Sequence, residues 1–123
     1  MHPDNVRCLA VAGIDVCSLA NNHTLDFGEA GPLETMDTLA GVGVRSVGAG
    51  CTLAEAREPA RVGIPGEGRL LVFAFGDESS GIPPGWTAGD DRPGLDVLPD
   101  LSQATARGVL ERFRAAALRA VAA

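Results

Sequence analysis

Between Asp4 and Glu58 the chain alternates short helix-patterned stretches with short apolar runs, and glycine marks the changeovers. Asp4 is placed to cap a short helix through Ala12, with Val6, Leu9 and Ala10 on one side and Gly13 as its stop signal. Ile14 to Leu19 is then an apolar run with one charge, Asp15, which is the pattern of a buried parallel strand. Glu29-Ala30-Gly31-Pro32 opens a second helix to about Leu39, in which Leu33, Met36, Leu39 and Ala40 share a face. Gly41 and Gly43 end it, and Val44 to Val47 forms the next strand. Gly48-Ala49-Gly50 reads as a turn, and Thr52 caps a brief helix from Leu53 to Arg57. This helix–strand order predicts an α/β fold: a layered sandwich with a mixed sheet and flanking helices.

Beyond Pro59 the pattern changes. Ala60 to Ile64 and Arg69 to Phe75 flank Pro65-Gly66-Glu67-Gly68, a β-hairpin signal. Its second strand, Leu70 to Phe75, is the most hydrophobic segment and is expected mid-sheet. Residues 76–100 are rich in proline, glycine and acid, so a long loop, functional or disordered, is expected there, with Trp86 anchoring it on the core. A last helix spans about Ser102 to Ala120, with Ala106, Val109, Leu110, Phe113, Ala117 and Val121 on its apolar stripe. No internal repeat is present. One domain is expected over 1–123, in three stretches (1–58, 59–100 and 101–123). It reads as cut at both ends, because it begins on a helix with no strand before it and stops where the last helix should lead into another strand.

Composition narrows the partners. The formal net charge is −6, and all 10 basic side chains are arginines spread along the chain. Phosphate backbones need clustered cations, so nucleic acid is excluded as a partner. No apolar run approaches the roughly 18–20 residues of a membrane span. Met1-His2-Pro3-Asp4 does not resemble a secretory signal, which predicts a cytoplasmic protein. Cys8, Cys17 and Cys51 read as reduced, partly buried thiols. Exposed sheet edges could pair between copies of the chain.

The candidate chemistry follows the first strand. Ile14 to Leu19 runs into Asn21-Asn22-His23, and the C-terminal ends of strands in open α/β sheets are where ligands bind. An amide oxygen is a hard neutral donor suited to Mn, Mg or Fe, and imidazole suits most first-row divalent ions. A histidine beside a phosphate can also protonate a leaving oxygen. The same residues equally fit a structural loop, in which Asn21 and Asn22 bond their own backbone and His23 satisfies a carbonyl. No His-x-His, Asp-x-His or Cys-x-x-Cys pair supports a local metal cluster. Asp77, Glu78, Ser79 and Ser80 follow the most apolar strand. Their loop either meets a substrate phosphate or carboxylate through backbone N–H groups or is ordinary solvated chain. Without a Gly-x-Ser-x-Gly turn, neither serine reads as a nucleophile.

Ser18 to Gly28, Leu33-Glu34-Thr35, Gly48-Ala49-Gly50 and Leu53-Ala54-Glu55-Ala56-Arg57 together resemble the poly-gamma-glutamate capsule biosynthesis family (CapA) of the calcineurin-like metallophosphoesterase superfamily. Phe73-Ala74-Phe75-Gly76 and Ser80-Gly81-Ile82-Pro83 are similar to a bacterial subset of it. The resemblance implies a metallophosphoesterase-like fold and a metal-dependent hydrolase holding a divalent ion (Mn, Mg, Fe or Zn). It implies a phosphate-ester or capsule-polymer substrate and work at the cell envelope. Asn22 would be a metal ligand, and His23 a ligand and the phosphate-contacting or proton-donating histidine. Asp26 would either orient His23 or cap the following helix. The family's other ligands come from an N-terminal Gly-Asp strand, a second acidic position, and C-terminal His-Trp-Gly and Gly-His-x-x-His segments, none of which occurs in 1–123. The alternative is a catalytically inactive fragment that acts as a binding or assembly module.

Overall fold

Two helices end in the same way and feed the two strands of a parallel ladder. The computed structural model describes residues 2–122. Helix α1 (Arg7–Val11) stops at Gly13, whose φ of +71° lies in the left-handed region. Gly13 N–H donates to Ala10 O and Ile14 N–H to Leu9 O, both at 3.0 Å, a doubly bonded helix stop that reverses the chain. Helix α2 (Ala30–Ala40) repeats the device at Gly43, where Val44 N–H donates to Leu39 O at 3.0 Å. The chain then enters strands β1 (Val16–Ser18) and β2 (Arg45–Val47), which pair in parallel with Val16 opposite Arg45 and Ser18 opposite Val47.

Several expected bounds shift. The N-terminal helix does not start from Asp4: Pro3–Asn5 is a separate 3-10 turn, capped by His2 Nδ1 accepting from Asp4 N–H. Strand β1 is three residues long and half-buried rather than fully buried, and Ile14 is 40 % exposed, because β2 is its one partner among the described residues. Ala40, expected on the inner face of α2, is exposed, whereas Leu33 and Met36 are half-buried and Leu39 buried.

Gly48-Ala49-Gly50 is not a turn. Ala49–Gly50 is strand β3, paired antiparallel with β6 (Gly94–Leu95). Glycine is required beside it, since a Cβ on Gly48 (φ +83°) would lie 2.7 Å from Ala20 Cβ and 3.0 Å from Ala74 Cβ. Thr52 caps α3 (Leu53–Ala56) as expected, its side chain accepting from Glu55 N–H. Strands β4 (Ala60–Ile64) and β5 (Gly68–Val72) form the expected hairpin. Strand β5, however, is not mid-sheet: β4 is its sole partner among the described residues, and Leu70 is 50 % exposed. The fold is thus mixed α/β, with parallel and antiparallel ladders and flanking helices.

The expected long loop turns out to supply the core. Ile82, Leu95 and Val97 are buried in one cluster with Leu19, Leu25, Leu39, Val44 and Ala49, and Trp86 packs against that cluster as an anchor. Gly76 N–H donates to Asp96 O, Leu98 N–H to Gly76 O and Asp96 N–H to Gly48 O, so the segment is stitched to β3 and to the end of the β5 strand region.

Asp96 is the fold's buried charge, only 2 % exposed. Arg57 Nε donates to its Oδ1 at 3.3 Å and Arg112 Nη1 to its Oδ2 at 2.8 Å. One carboxylate thereby ties α3 to the final helix α4 (Gln103–Ala122). This sets the face that α4 presents. Val109, Arg112, Phe113 and Ala116 turn inward, and Phe113 stacks on Phe73 with ring centroids 4.1 Å apart. Ala106, Leu110, Ala117 and Val121, expected on the inner stripe, are exposed. Cys8 and Cys51 are exposed rather than partly buried, and Cys17 is half-buried. No helix among the described residues is long and apolar enough to cross a membrane.

Candidate functional site

After β1 the chain makes a tight loop whose backbone is held by its own side chains. Asn21 N–H donates to Leu19 O, and Thr24 Oγ1 donates to the same carbonyl. Asn21 Oδ1 accepts from His23 N–H at 2.9 Å, which is the turn-forming bond expected of an Asn in this position. Leu25 is buried in the core and pins the loop's far side. Asn21 is therefore a scaffold residue. Asn22 and His23 are carried outward on the surface.

His23 is oriented by Asp26. Its Nδ1 lies 2.9 Å from Asp26 Oδ2. An ionised carboxylate can only accept, so Nδ1 carries a hydrogen, and in the neutral ring Nε2 holds the lone pair. The His23 side chain is 77 % exposed, which leaves Nε2 open to solvent. That is the protonation pattern of an imidazole ready to ligate an ion or exchange a proton. Asp26 does not cap α2; that helix begins at Ala30 with Glu29 at its N-cap.

A second loop closes against the first. Residues Glu78–Ser80 form a 3-10 turn between Asp77 and Gly81. Asp77 Oδ1 accepts from Ser79 N–H at 2.7 Å, and Ser80 Oγ accepts from Asp77 N–H while donating to Asp77 O. Ser80's hydroxyl is thus committed to the turn. Hydrogen bonding from Ser79, outweighing slight desolvation, holds the Asp77 carboxyl below the usual carboxylate value. Gly81 (φ +80°) faces the Asn22 side chain so closely that a Cβ there would lie 3.1 Å from Nδ2. The structure therefore brings Asn22 and the Ser79–Ser80 loop together.

The turn's other side borders a shallow groove of about 450 Å³ lined by Asp77, Glu78, Ser79, Leu98, Pro99, Asp100 and Leu101. Hydrogen bonds, from Ser102 first and then Thr105, hold the Asp100 carboxyl below the usual value. Hydrogen bonding to Glu55, with slight desolvation and the charges of Glu55 and Asp37, pushes the exposed Cys51 thiol up.

The donors suit a divalent ion in kind but not in number. Asn22 and His23 are adjacent, but among the described residues no three His, Cys, Asp or Glu side chains gather into a metal-holding group. A dinuclear centre needs several more ligands, so residues 2–122 present at most part of one.

A family model for the "Bacterial capsule synthesis protein PGA_cap" matches residues 1–123. The chain is 48 % identical over 103 residues to probable polyglutamine synthesis accessory proteins of Mycobacterium tuberculosis strains CDC 1551 / Oshkosh and ATCC 25618 / H37Rv. Each alignment covers 84 % of this chain and 27 % of the relative, so the chain spans about a quarter of the length of these relatives. Its strand-end Asn-Asn-His loop, the glycine-rich β3 and the Thr52-capped α3 stand within that match, and the chain belongs to the bacterial capsule synthesis protein family.

Proposed function

We propose that this chain carries the Asn–His part of the divalent-metal site of a hydrolase that acts on a phosphate ester or a related substrate in capsule polymer synthesis. Asn22 Oδ1 would be one metal ligand. His23, its ring fixed by Asp26, would be a second ligand through Nε2 as the neutral imidazole, or, as the imidazolium, would contact the substrate phosphate and give its Nε2 proton to the leaving oxygen. A bound divalent ion polarises a phosphoryl oxygen, and the remaining donors would come from sequence outside these 123 residues. The observation that carries this reading is the His23–Asp26 pair at 2.9 Å, which orients an exposed imidazole on the residue next in sequence to Asn22.

The relatives are named for polyglutamine synthesis, and this chain is acidic, with a net charge of −6. Mn²⁺ titrated into the chain should raise its unfolding temperature to a plateau, and Asn22→Ala or His23→Ala should abolish the rise. A rise that both variants retain leaves the inactive binding module as the description of this chain.

A further inference from the structure

Asn22 is exposed and its amide makes no turn bond of the kind Asn21 makes, yet it does not stand alone: the Gly81 backbone covers one side of it. The contact is intimate, since a Cβ built on Gly81 would meet Asn22 Nδ2 at 3.1 Å, Cβ at 3.6 Å and Cγ at 3.7 Å. Gly81 is held there by two features of its own turn. Its N–H donates to Glu78 O at 3.0 Å, and its φ of +80° is one that other residues resist. At the start of the turn, a Cβ on Gly76 would fall 2.3 Å from Ile82 Cδ1 and 3.5 Å from Ala20 O. Ile82 is itself buried in the core. Gly81 therefore lets the end of the Asp77–Ser80 turn approach the Asn22 side chain, while Gly76 lets its start pack on Ile82, the buried side chain that immediately follows Gly81.

We propose that Gly81 is a positioning residue for Asn22: the flat, capped turn from Asp77 to Gly81 is a wall that restricts the amide's rotamers and aims its oxygen away from the loop. The role in metal binding rests on Asn22 being a ligand, as proposed above; the packing role does not. A side chain at 81 would displace the amide, and a loosened turn would free it. The Ser79–Ser80 loop then acts on the site through Asn22 rather than by supplying a serine to the substrate.

The test uses the ¹⁵N-labelled full chain without metal, with the Asn22 side-chain amide pair assigned by its loss in Asn22→Ala. In Gly81→Ala that pair should shift, and the affinity for Mn²⁺ should fall about tenfold, the lower end of what displaced supporting groups cost a metal site. Gly66→Ala is the control: Gly66 has nearly the same φ, +78°, with nothing within 4 Å of its built Cβ. It should cost the same backbone strain and leave the Asn22 pair in place. Asp77→Ala, which removes the acceptor of Ser79 N–H without adding an atom beside Asn22, should also shift the pair and decides the matter if Gly81→Ala does not fold. An Asn22 pair unmoved in Asp77→Ala and in any folded Gly81→Ala, or moved equally by Gly66→Ala, overturns the proposal. If Asn22→Ala leaves Mn²⁺ binding intact while Gly81→Ala moves the amide, the metal reading fails and the positioning role stands.

Discussion

Arg112→Met should be the most damaging single loss of a charged side chain in this fold. Asp96 is 2 % exposed, and its two oxygens rely on different arginines. Arg112 contributes the shorter bond, 2.8 Å, from a side chain only 25 % exposed, whereas Arg57 sits at 3.3 Å and is 41 % exposed. Removing the Arg112 head strands a buried carboxylate oxygen, and breaking a buried ion pair from one side costs on the order of 3–5 kcal/mol. Some water will reach the vacated position from the quarter of Arg112 that is exposed, so the lower end, about 3 kcal/mol, is expected. Arg57→Met removes a longer, better solvated bond and should cost about 1 kcal/mol. The methionine keeps most of the stem's packing against α4's neighbours, so the difference reports on the charge. Urea unfolding followed by the single tryptophan, Trp86, which packs on the core, is the assay. At a slope of about 1–3 kcal/mol per molar urea, Arg112→Met should lower the midpoint by roughly 1–3 M with the slope unchanged. A shift equivalent to under about 0.5 kcal/mol, within the range of ordinary surface substitutions, or a larger cost for Arg57→Met, refutes the assignment of Asp96 as the buried tie.

Two further outcomes follow from local geometry. Gly48→Ala combines a left-handed φ with a built Cβ 2.7 Å from Ala20 Cβ, so it should cost about 2–4 kcal/mol, whereas Gly63→Ala, with open space around its built Cβ, should stay within about 0.5 kcal/mol. Equal costs in the same urea assay contradict the close approach of β3 to the site loop. Asp77 and Asp100 have carboxyls lowered in the folded state, so the stability they add is complete above the unfolded carboxylate value near pH 4 and is lost as pH falls below it through the lowered folded values. The double variant Asp77→Asn/Asp100→Asn should therefore flatten the dependence of unfolding temperature on pH below about 4 and leave its shape near neutrality unchanged. An undiminished acid-side slope contradicts it.

What was legible in the sequence was local, and what was not was set at a distance. The Gly13 and Gly43 stops, the Thr52 cap and the hairpin around Gly66 each depend on a few neighbouring residues, and each stands where its residues pointed. The strand-end position of Asn22 and His23 was readable for the same reason. Strand β3 was not: two residues of alanine and glycine carry no strand signal, and their partner, Gly94–Leu95, lies in a segment whose prolines and glycines read as loop. That segment is ordered because Ile82, Leu95 and Val97 enter the core, a pattern too irregular for either period. The inner face of α4 was legible only in part: Val109 and Phe113 turn inward as expected, but hydrophobic periodicity does not register Arg112, which turns inward to meet Asp96 and sets the helix rotation that leaves Leu110 and Ala117 exposed. At the site, the His23–Asp26 pair follows from a three-residue spacing in a turn, but the placement of Gly81 on Asn22 depends on tertiary packing alone.

The most direct test of the central claim is to count bound Mn²⁺ by the loss of its free-ion electron paramagnetic resonance signal, in the chain and in Asn22→Ala, His23→Ala and Asp26→Asn. Saturable binding that is lost in the first two variants and weakened in the third, where the imidazole loses its orienting carboxylate, is the predicted result. Binding that is absent from the chain, or unchanged across all three variants, contradicts the assignment of Asn22 and His23 as metal ligands.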